Sequence, residues 1–318
     1  MRQFLRTFII FIAPVIIIGF STEVLLRKIP NDYSYKKNYL DQHANTLKIL
    51  FLGNSHAYYG MDPEYTHYPS FNAAYVSQSY NCDAEILKKY ENKLDSLKYI
   101  VLPLDYASLN GRLEKGSESW RVKNYAIYYD IGITHNIADK TEIFNNNLKV
   151  ISKRISGYYF QNISAGTCSK LGWGNDDTYK NRKDLATSGK VSAQIHKSRT
   201  FSDDNIKSLQ SIVEFAKARN IKLVLYTSPA YKTYQQNFTS EQLEQSTNLG
   251  TSLAGTNPGT VVYFNLLNDS SFVADDYYDA DHMDEWGAKK LTRKIDSLIM
   301  ALPIDNAVAK YRTPVAVK

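Results

Sequence analysis

Only two cysteines, Cys82 and Cys168, occur in the chain. They show no C-x-x-C spacing and no histidine at ligand spacing, so neither a disulfide framework nor a cysteine-built metal centre organises this protein. In an oxidising compartment the two could pair; two free buried thiols is the alternative. A basic stripe is lacking as well. The formal net charge is +6, and Arg2, Arg6, Arg27 and Lys28 set against Glu23 supply half of it. No Lys/Arg run interleaved with aromatics follows, which argues against a nucleic-acid partner. No internal repeat or low-complexity tract is found, so solenoid and disordered architectures drop out. What is present is ordinarily globular, 43% hydrophobic and 22% charged, on a chain long enough to bury a substantial core. Tyrosine is the one excess, at 25 residues; its amphipathic ring serves either as half-buried packing or as a surface that stacks on sugars.

The amino terminus carries a targeting signal. Arg2 and Arg6 precede residues 8–20, which contain no charge or hydroxyl, and apolar character resumes at Val24, Leu25 and Leu26. A membrane span needs about 20 apolar residues, which residues 5–26 provide if Arg6 snorkels and Glu23 sits at the interface. A cleaved signal peptide is the rival, with Gly19 and Ser21 before the cut, but no A-x-A-like site is present. Residues 1–28 are therefore expected to be a single-pass anchor, with the remainder on the periplasmic or extracellular side. Residues 29–45, with Pro30, Asn31, Asp32 and several Lys and Tyr, read as a polar tether.

Beyond the tether the pattern is that of a parallel sheet. Short apolar runs at 48–52, 99–104, 222–226 and 261–264 read as buried strands. Helical spacing separates them at Leu87, Tyr90, Leu94 and Leu97, then at Ile206, Leu209, Val213 and Ala216 behind Ser202 as N-cap, and follows the last at Ala288, Leu291, Ile295, Leu298 and Ile299. Alternating strands and helices imply one α/β domain over 46–302, a three-layer sandwich around a central parallel sheet. The stretch of about 110–200 breaks the alternation and reads as an inserted lid over the ligand-binding edge of the sheet. Residues 303–318 read as a loose tail.

Two segments just past predicted strands carry chemistry. In Gly53-Asn54-Ser55-His56, a glycine permits a tight turn and Ser55 opens a helix, where N–H groups favour an oxyanion; the plain alternative is that Ser55 only caps that helix. The second segment, residues 277–287, holds Asp279, Asp281, His282 and Asp284. A hydroxyl nucleophile needs a base within hydrogen-bond reach, and the base needs an orienting carboxylate. Asp279, three residues before His282, can take its Nδ1–H and leave Nε2 for Ser55; Asp281 is the rival orienter. A metal site from Asp279, Asp281, His282 and Asp284 is a further alternative, although the glycine and distal glutamate of an EF-hand loop are missing.

Together these segments resemble the SGNH or GDSL-like hydrolase superfamily. Its G-D-S block reads Gly53-Asn54-Ser55 here and its D-x-x-H block reads Asp279-Ala280-Asp281-His282, in that family's chain order. The resemblance implies a flavodoxin-like fold and a Ser55–His282–Asp279 triad needing no cofactor. The family's N-x-x-x-S-G block aligns with Asn72 to Ser77, the glycine replaced or displaced, which makes Ser77 an oxyanion donor. Its G-x-N-D block is missing after the strand ending at Leu104, where Asp105-Tyr106-Ala107-Ser108 stands; Asn175, in Gly174-Asn175-Asp176, is a candidate substitute donor, but it follows no strand and a plain loop residue is the alternative. His56, next to the nucleophile, is a candidate substrate contact, with a packing or surface role as the plainer alternative. Trp120, Trp173 and Trp286 could form a sugar platform, Trp286 being better placed as core.

The resemblance is strongest to membrane-anchored members that O-acetylate envelope polysaccharides. It implies an esterase or O-acetyltransferase whose partners are an acylated carbohydrate or acyl donor, and a membrane acyl-donor protein. A non-catalytic, membrane-anchored glycan-binding or assembly protein that keeps the fold is the other reading, favoured by the missing third block.

Overall fold

The structure, a computed structural model, describes residues 1–163, 166–175, 178–197 and 202–302; the expected tail at 303–318 lies outside them. Five strands, β1 (Ile49–Phe51), β2 (Ser70–Asn72), β3 (Tyr99–Pro103), β4 (Lys222–Thr227) and β5 (Val261–Asn265), form one sheet in the order β2-β1-β3-β4-β5. Every pairing is parallel. This is the flavodoxin-like doubly wound order, which opens a crevice at the carboxyl ends of the strands between β1 and β3.

The helices are α1 (Arg2–Lys28), α2 (Asp32–His43), α3 (Ser55–Gly60), α4 (Tyr80–Tyr90), α5 (Tyr106–Asn110), α6 (Val122–Asn124), α7 (Leu148–Gln161), α8 (Leu185–Lys197), α9 (Asp203–Ala218), α10 (Lys232–Gln235), α11 (Ser240–Thr256) and α12 (Glu285–Met300). Strand side chains alternate between two cores, as period-2 geometry requires. Leu50, Leu52, Ile100, Leu102, Leu223 and Leu225 point to the layer of α2, α4 and α9. Ile49, Phe51, Val101, Val224 and Tyr226 point to the layer of α3 and α12. The continuous apolar runs in the sequence reflect a sheet covered on both faces.

The expected tether at 29–45 is instead folded against the domain. Asn31 caps α2 by accepting the Ser34 N–H at 3.0 Å, and Tyr33, Lys36 and Leu40, at helical spacing, are buried. Lys36 reads as polar in sequence, yet its ammonium donates to the Ala74 carbonyl and lies 4.5 Å over the Tyr58 ring. Burial lowers its pKa to about 8.

Across 110–200 no strand forms among the described residues, only helices, turns and the isolated Cys168–Gly174 bridge. Only part of this insertion lies at the strand ends: residues 110–118 and Ile195 line a cavity there, while α7 packs on the end of α1. Both cysteines are free. Trp286, expected in the core, is 58% exposed, because it sits on the first turn of α12, outside the face that Ala288, Leu291 and Ile295 bury.

Candidate functional site

After β1 the chain turns at Gly53, whose φ is +108°. A Cβ there would lie 2.5 Å from Pro103 Cδ, so close approach and left-handed backbone both demand glycine. The Gly53 N–H donates to Asp83 Oδ1 at 2.9 Å. Asp83 is fully buried, and burial raises its pKa to about 7. The next residue settles how Ser55 is used locally. Asn54 is the N-cap of α3, its Oδ1 accepting the His56 N–H at 2.9 Å. Relieved of capping, the Ser55 hydroxyl points across the crevice to the loop before α12.

That loop brings His282 Nε2 to 2.8 Å from Ser55 Oγ. On the other side of the ring, Nδ1 lies 3.0 Å from Asp279 Oδ1. The same carboxylate oxygen accepts the backbone N–H groups of Asp281 and His282, each at 2.9 Å, so Asp279 is fixed by its own loop. Burial raises the Asp279 carboxyl, but the neighbouring imidazole outweighs it and the pKa is lowered. Burial pulls His282 down and the Asp279 charge pushes it up, with a net rise. A proton on Nδ1 facing Asp279 leaves Nε2 with its lone pair toward the hydroxyl.

Asp281, the rival orienter, serves a second histidine. His56 is only 6% exposed; its Nδ1 sits 2.5 Å from Asp105 Oδ2 and its Nε2 3.1 Å from Asp281 Oδ1. Burial disfavours the imidazolium, yet the two carboxylates outweigh this and hold its pKa well above the ordinary histidine value. His56 thus bridges two carboxylates through its two ring nitrogens, which favours its imidazolium form. The expectation of a substrate contact is corrected: neither nitrogen is available.

Asp105 also accepts the Ser108 N–H and hydroxyl at 2.8 Å, and Ser108 Oγ in turn accepts from Asn54 Nδ2 at 3.0 Å. The residues that follow β3 thus form a strut from Asn54 through Ser108 and Asp105 to His56 and Asp281. Sequence reading missed this role; an aspartate with a serine three residues later, just past a strand, was its only trace.

Ser77 has φ +59°, the left-handed backbone that glycine adopts freely. Its loop is bound to the nucleophile turn by the Tyr75 N–H donating to the Gly53 carbonyl at 3.1 Å. The N–H groups of Ser55 and Ser77 donate to no group among the described residues. Asn72 is buried, and its amide braces the carbonyls of Ala57 and Met61 at 2.7 Å.

Asn175 is not brought to the site. It is exposed, its N–H donates to Thr167, and it makes no hydrogen bond to Ser55, Asn54 or Ser77 among the described residues, because its loop is pinned to the Tyr58 carbonyl through Gly174. Of the four-residue metal alternative, Asp284 Oδ1 caps α12 through the Trp286 and Gly287 N–H groups, while Asp284 Oδ2 and Asp281 Oδ2 are buried with no hydrogen-bond partner among the described residues. His56, Asp281 and His282 do place ligand-type atoms within 4.8 Å of one another. Both ring nitrogens of His56 already face carboxylates, Asp105 and Asp281.

Asn54, Ser77, Gln78, Ser108 and Asn110 line a cavity of about 470 Å³, beside the Ser55 turn. Its walls mix these hydroxyls and amides with Ala107, Leu113 and Ile195 and with the charged Lys115, Glu118 and Arg112, the last meeting Glu114 at 2.5 Å.

No family model matches the chain, and no curated protein matches it. A solved structure described as a "putative acylhydrolase" from Bacteroides fragilis NCTC 9343 is similar over 82% of this chain and 95% of its own, at 12% identity and a TM-score of 0.38. That likeness is too loose to bear on activity.

Proposed function

We propose that this chain is a membrane-anchored, serine-dependent acyl-ester enzyme whose domain lies outside the cytoplasm and acts on an envelope carbohydrate. The observation that carries the proposal is the alignment of Ser55 Oγ, His282 and Asp279 through contacts of 2.8 and 3.0 Å. As Ser55 Oγ attacks an acyl carbon, its proton passes to His282 Nε2, and Asp279 stabilises the imidazolium. The Ser55 and Ser77 N–H groups are the donors for the oxyanion. Collapse breaks the ester bond, and the leaving alcohol takes the proton from His282, giving an acyl-serine. A sugar hydroxyl or water then attacks that ester, again giving its proton to His282; as the acyl–serine bond breaks, His282 returns the proton to Ser55 Oγ and both groups are restored. The cavity beside Asn54 and Ser77 has room for the acceptor, to which it offers hydroxyl and amide groups between apolar walls. None of these steps calls on a cofactor. Helix α1 is, among the described residues, the one helix long and apolar enough to cross a membrane, which supports the anchor.

The test is turnover of a small activated acetyl ester, with and without oligosaccharide acceptors. Slow hydrolysis alone and acetylated sugar on adding acceptor are expected. Efficient deacetylation with no transfer would make the enzyme an esterase; no turnover of either kind would favour the non-catalytic reading. The base must be neutral to act, and its pKa is raised. kcat/KM should therefore rise with pH along a limb whose midpoint lies above the ordinary histidine value of about 6.5. A midpoint below that value would contradict the assignment of His282.

A further inference from the structure

Helix α1 projects from the domain with its apolar side chains, from Phe4 to Phe20, largely exposed, and only its last two turns are held. The holding is dense. The Glu142 and Ile143 N–H groups donate to the Glu23 carboxylate at 3.0 Å. Arg27 donates to the Lys140 carbonyl at 2.6 Å, and the Tyr159 hydroxyl to the Leu25 carbonyl at 3.0 Å. Leu26 and Ile29 pack on Ile151. Glu142 is itself locked by Lys123 at 2.8 Å, Arg154 at 2.6 Å and the Tyr128 hydroxyl at 2.6 Å. The joint between α1 and the segment 137–163 is therefore rigid.

That segment is otherwise unusual for a water-facing surface. Ile137, Phe144, Leu148 and Phe160 are 77, 76, 83 and 81% exposed, a set of large apolar side chains of the kind that marks an interaction surface. Lys140, Lys149 and Lys153 stand exposed among them. If α1 crosses a bilayer, roughly 20 residues fill its hydrocarbon core; counted from Leu5 they run to about Val24 and put Glu23 at the boundary. Whatever is hydrogen-bonded to Glu23 then lies at the same depth.

We propose that residues 137–163 dock on the surface of the bilayer that α1 crosses, with Ile137, Phe144 and Leu148 entering the boundary between headgroups and acyl chains and the lysines facing anionic headgroups. The inference rests on reading α1 as an anchor, and not on the chemistry of Ser55. Continuity with α1 selects lipid as the occupant, and apolar side chains among lysines suit an anionic interface. The domain is thereby held at fixed height and tilt on the membrane, not swung on a tether.

The test uses the full chain in phosphatidylethanolamine–phosphatidylglycerol vesicles. In a Cys168→Ser background, nitroxides are attached at Phe144→Cys and Leu148→Cys, with Phe11→Cys in α1 and Glu241→Cys on α11 as references. Cys82 is buried, and burial pushes its thiol up to about 12. Collisions with oxygen, which favours lipid, are compared with those of a water-soluble nickel chelate. Labels at 144 and 148 are expected to resemble the one at 11, with oxygen winning, and to differ from the one at 241. Labels at 144 and 148 that behave like 241 while 11 stays lipid-like would overturn docking and leave the anchor standing. Water-like behaviour at 11 as well would overturn the anchor and docking together. Loss of both collision types at 144 with spin–spin broadening would mean that a second copy covers the face, which also overturns the proposal.

Discussion

Replacing His282 by alanine is expected to lower ester turnover by about 10³-fold or more, and Asp279→Asn by roughly as much as 10⁴-fold, with both proteins still folded. The first change removes the only acceptor within reach of the Ser55 hydroxyl among the described residues, 2.8 Å away. The second keeps the shape of the side chain and an oxygen facing Nδ1 but removes the negative charge that stabilises the imidazolium formed as Ser55 loses its proton, so Nε2 becomes a weaker base. Asp279 also receives two backbone N–H groups, which the amide oxygen of the Asp279→Asn variant can still accept, so melting temperature should move far less than rate. Steady-state kinetics beside thermal melts make the check. Wild-type turnover in a folded His282→Ala protein would remove His282 from the mechanism.

Asp281→Asn should fail differently. Its carboxylate is 2% exposed and faces His56, so the substitution leaves a buried imidazolium with Asp105 as its sole close counter-charge. Removing one partner of a buried pair costs about 3 kcal/mol or more; the protein loses stability first, and rate only as the Ser55 turn loosens. The pH dependence has a definite sign. The His56 pKa is raised in the fold, so its contribution is complete below about pH 6.5 and is lost as pH climbs through the folded value. Those of Asp105 and Asp281 are lowered, so theirs is complete above about pH 4 and is lost as pH falls through the folded values. Unfolding curves of wild type and His56→Gln should therefore differ most between about pH 4 and 6.5 and converge at alkaline pH. Besides these carboxylates, the groups facing the bridge are His282, whose ring centroid lies 5.3 Å from that of His56, and His196, 3.8 Å from Asp281. Equal differences across the whole range would show that His56 is neutral in the fold.

The sheet was legible because buried parallel strands write themselves as uninterrupted apolar runs, and β1, β3, β4 and β5 do so. The second strand, Ser70–Asn72, did not, since three residues with polar ends give no run to detect. Helix α2 was hidden by composition: Tyr33, Lys36 and Leu40 form its inner face only because carbonyl and ring partners from distant segments accept the lysine. Helices α7, α8 and α11 lie in or behind polar stretches whose apolar faces are narrow. At the site, Ser55, Asp279 and His282 could be named because each stands in a local motif. The bridge from Asp105 through His56 to Asp281 could not. Its members are separated by 49 and 225 residues, and only the crossover from β1 to β3 and the return of the last loop bring them together. The same topology explains the misplacement of Asn175, whose letters fit a donor but whose loop is tied to α3 from outside.

The central claim is that Ser55 is an activated nucleophile, and a fluorophosphonate probe reports on that state most directly because it reacts with a serine only when a base has taken up its proton. Treatment of the detergent-solubilised full chain, followed by digestion and mass analysis, should place one adduct on the peptide containing Ser55, with none in Ser55→Ala and very little in His282→Ala. An unmodified wild-type chain, or an adduct that persists undiminished in Ser55→Ala, would contradict the account.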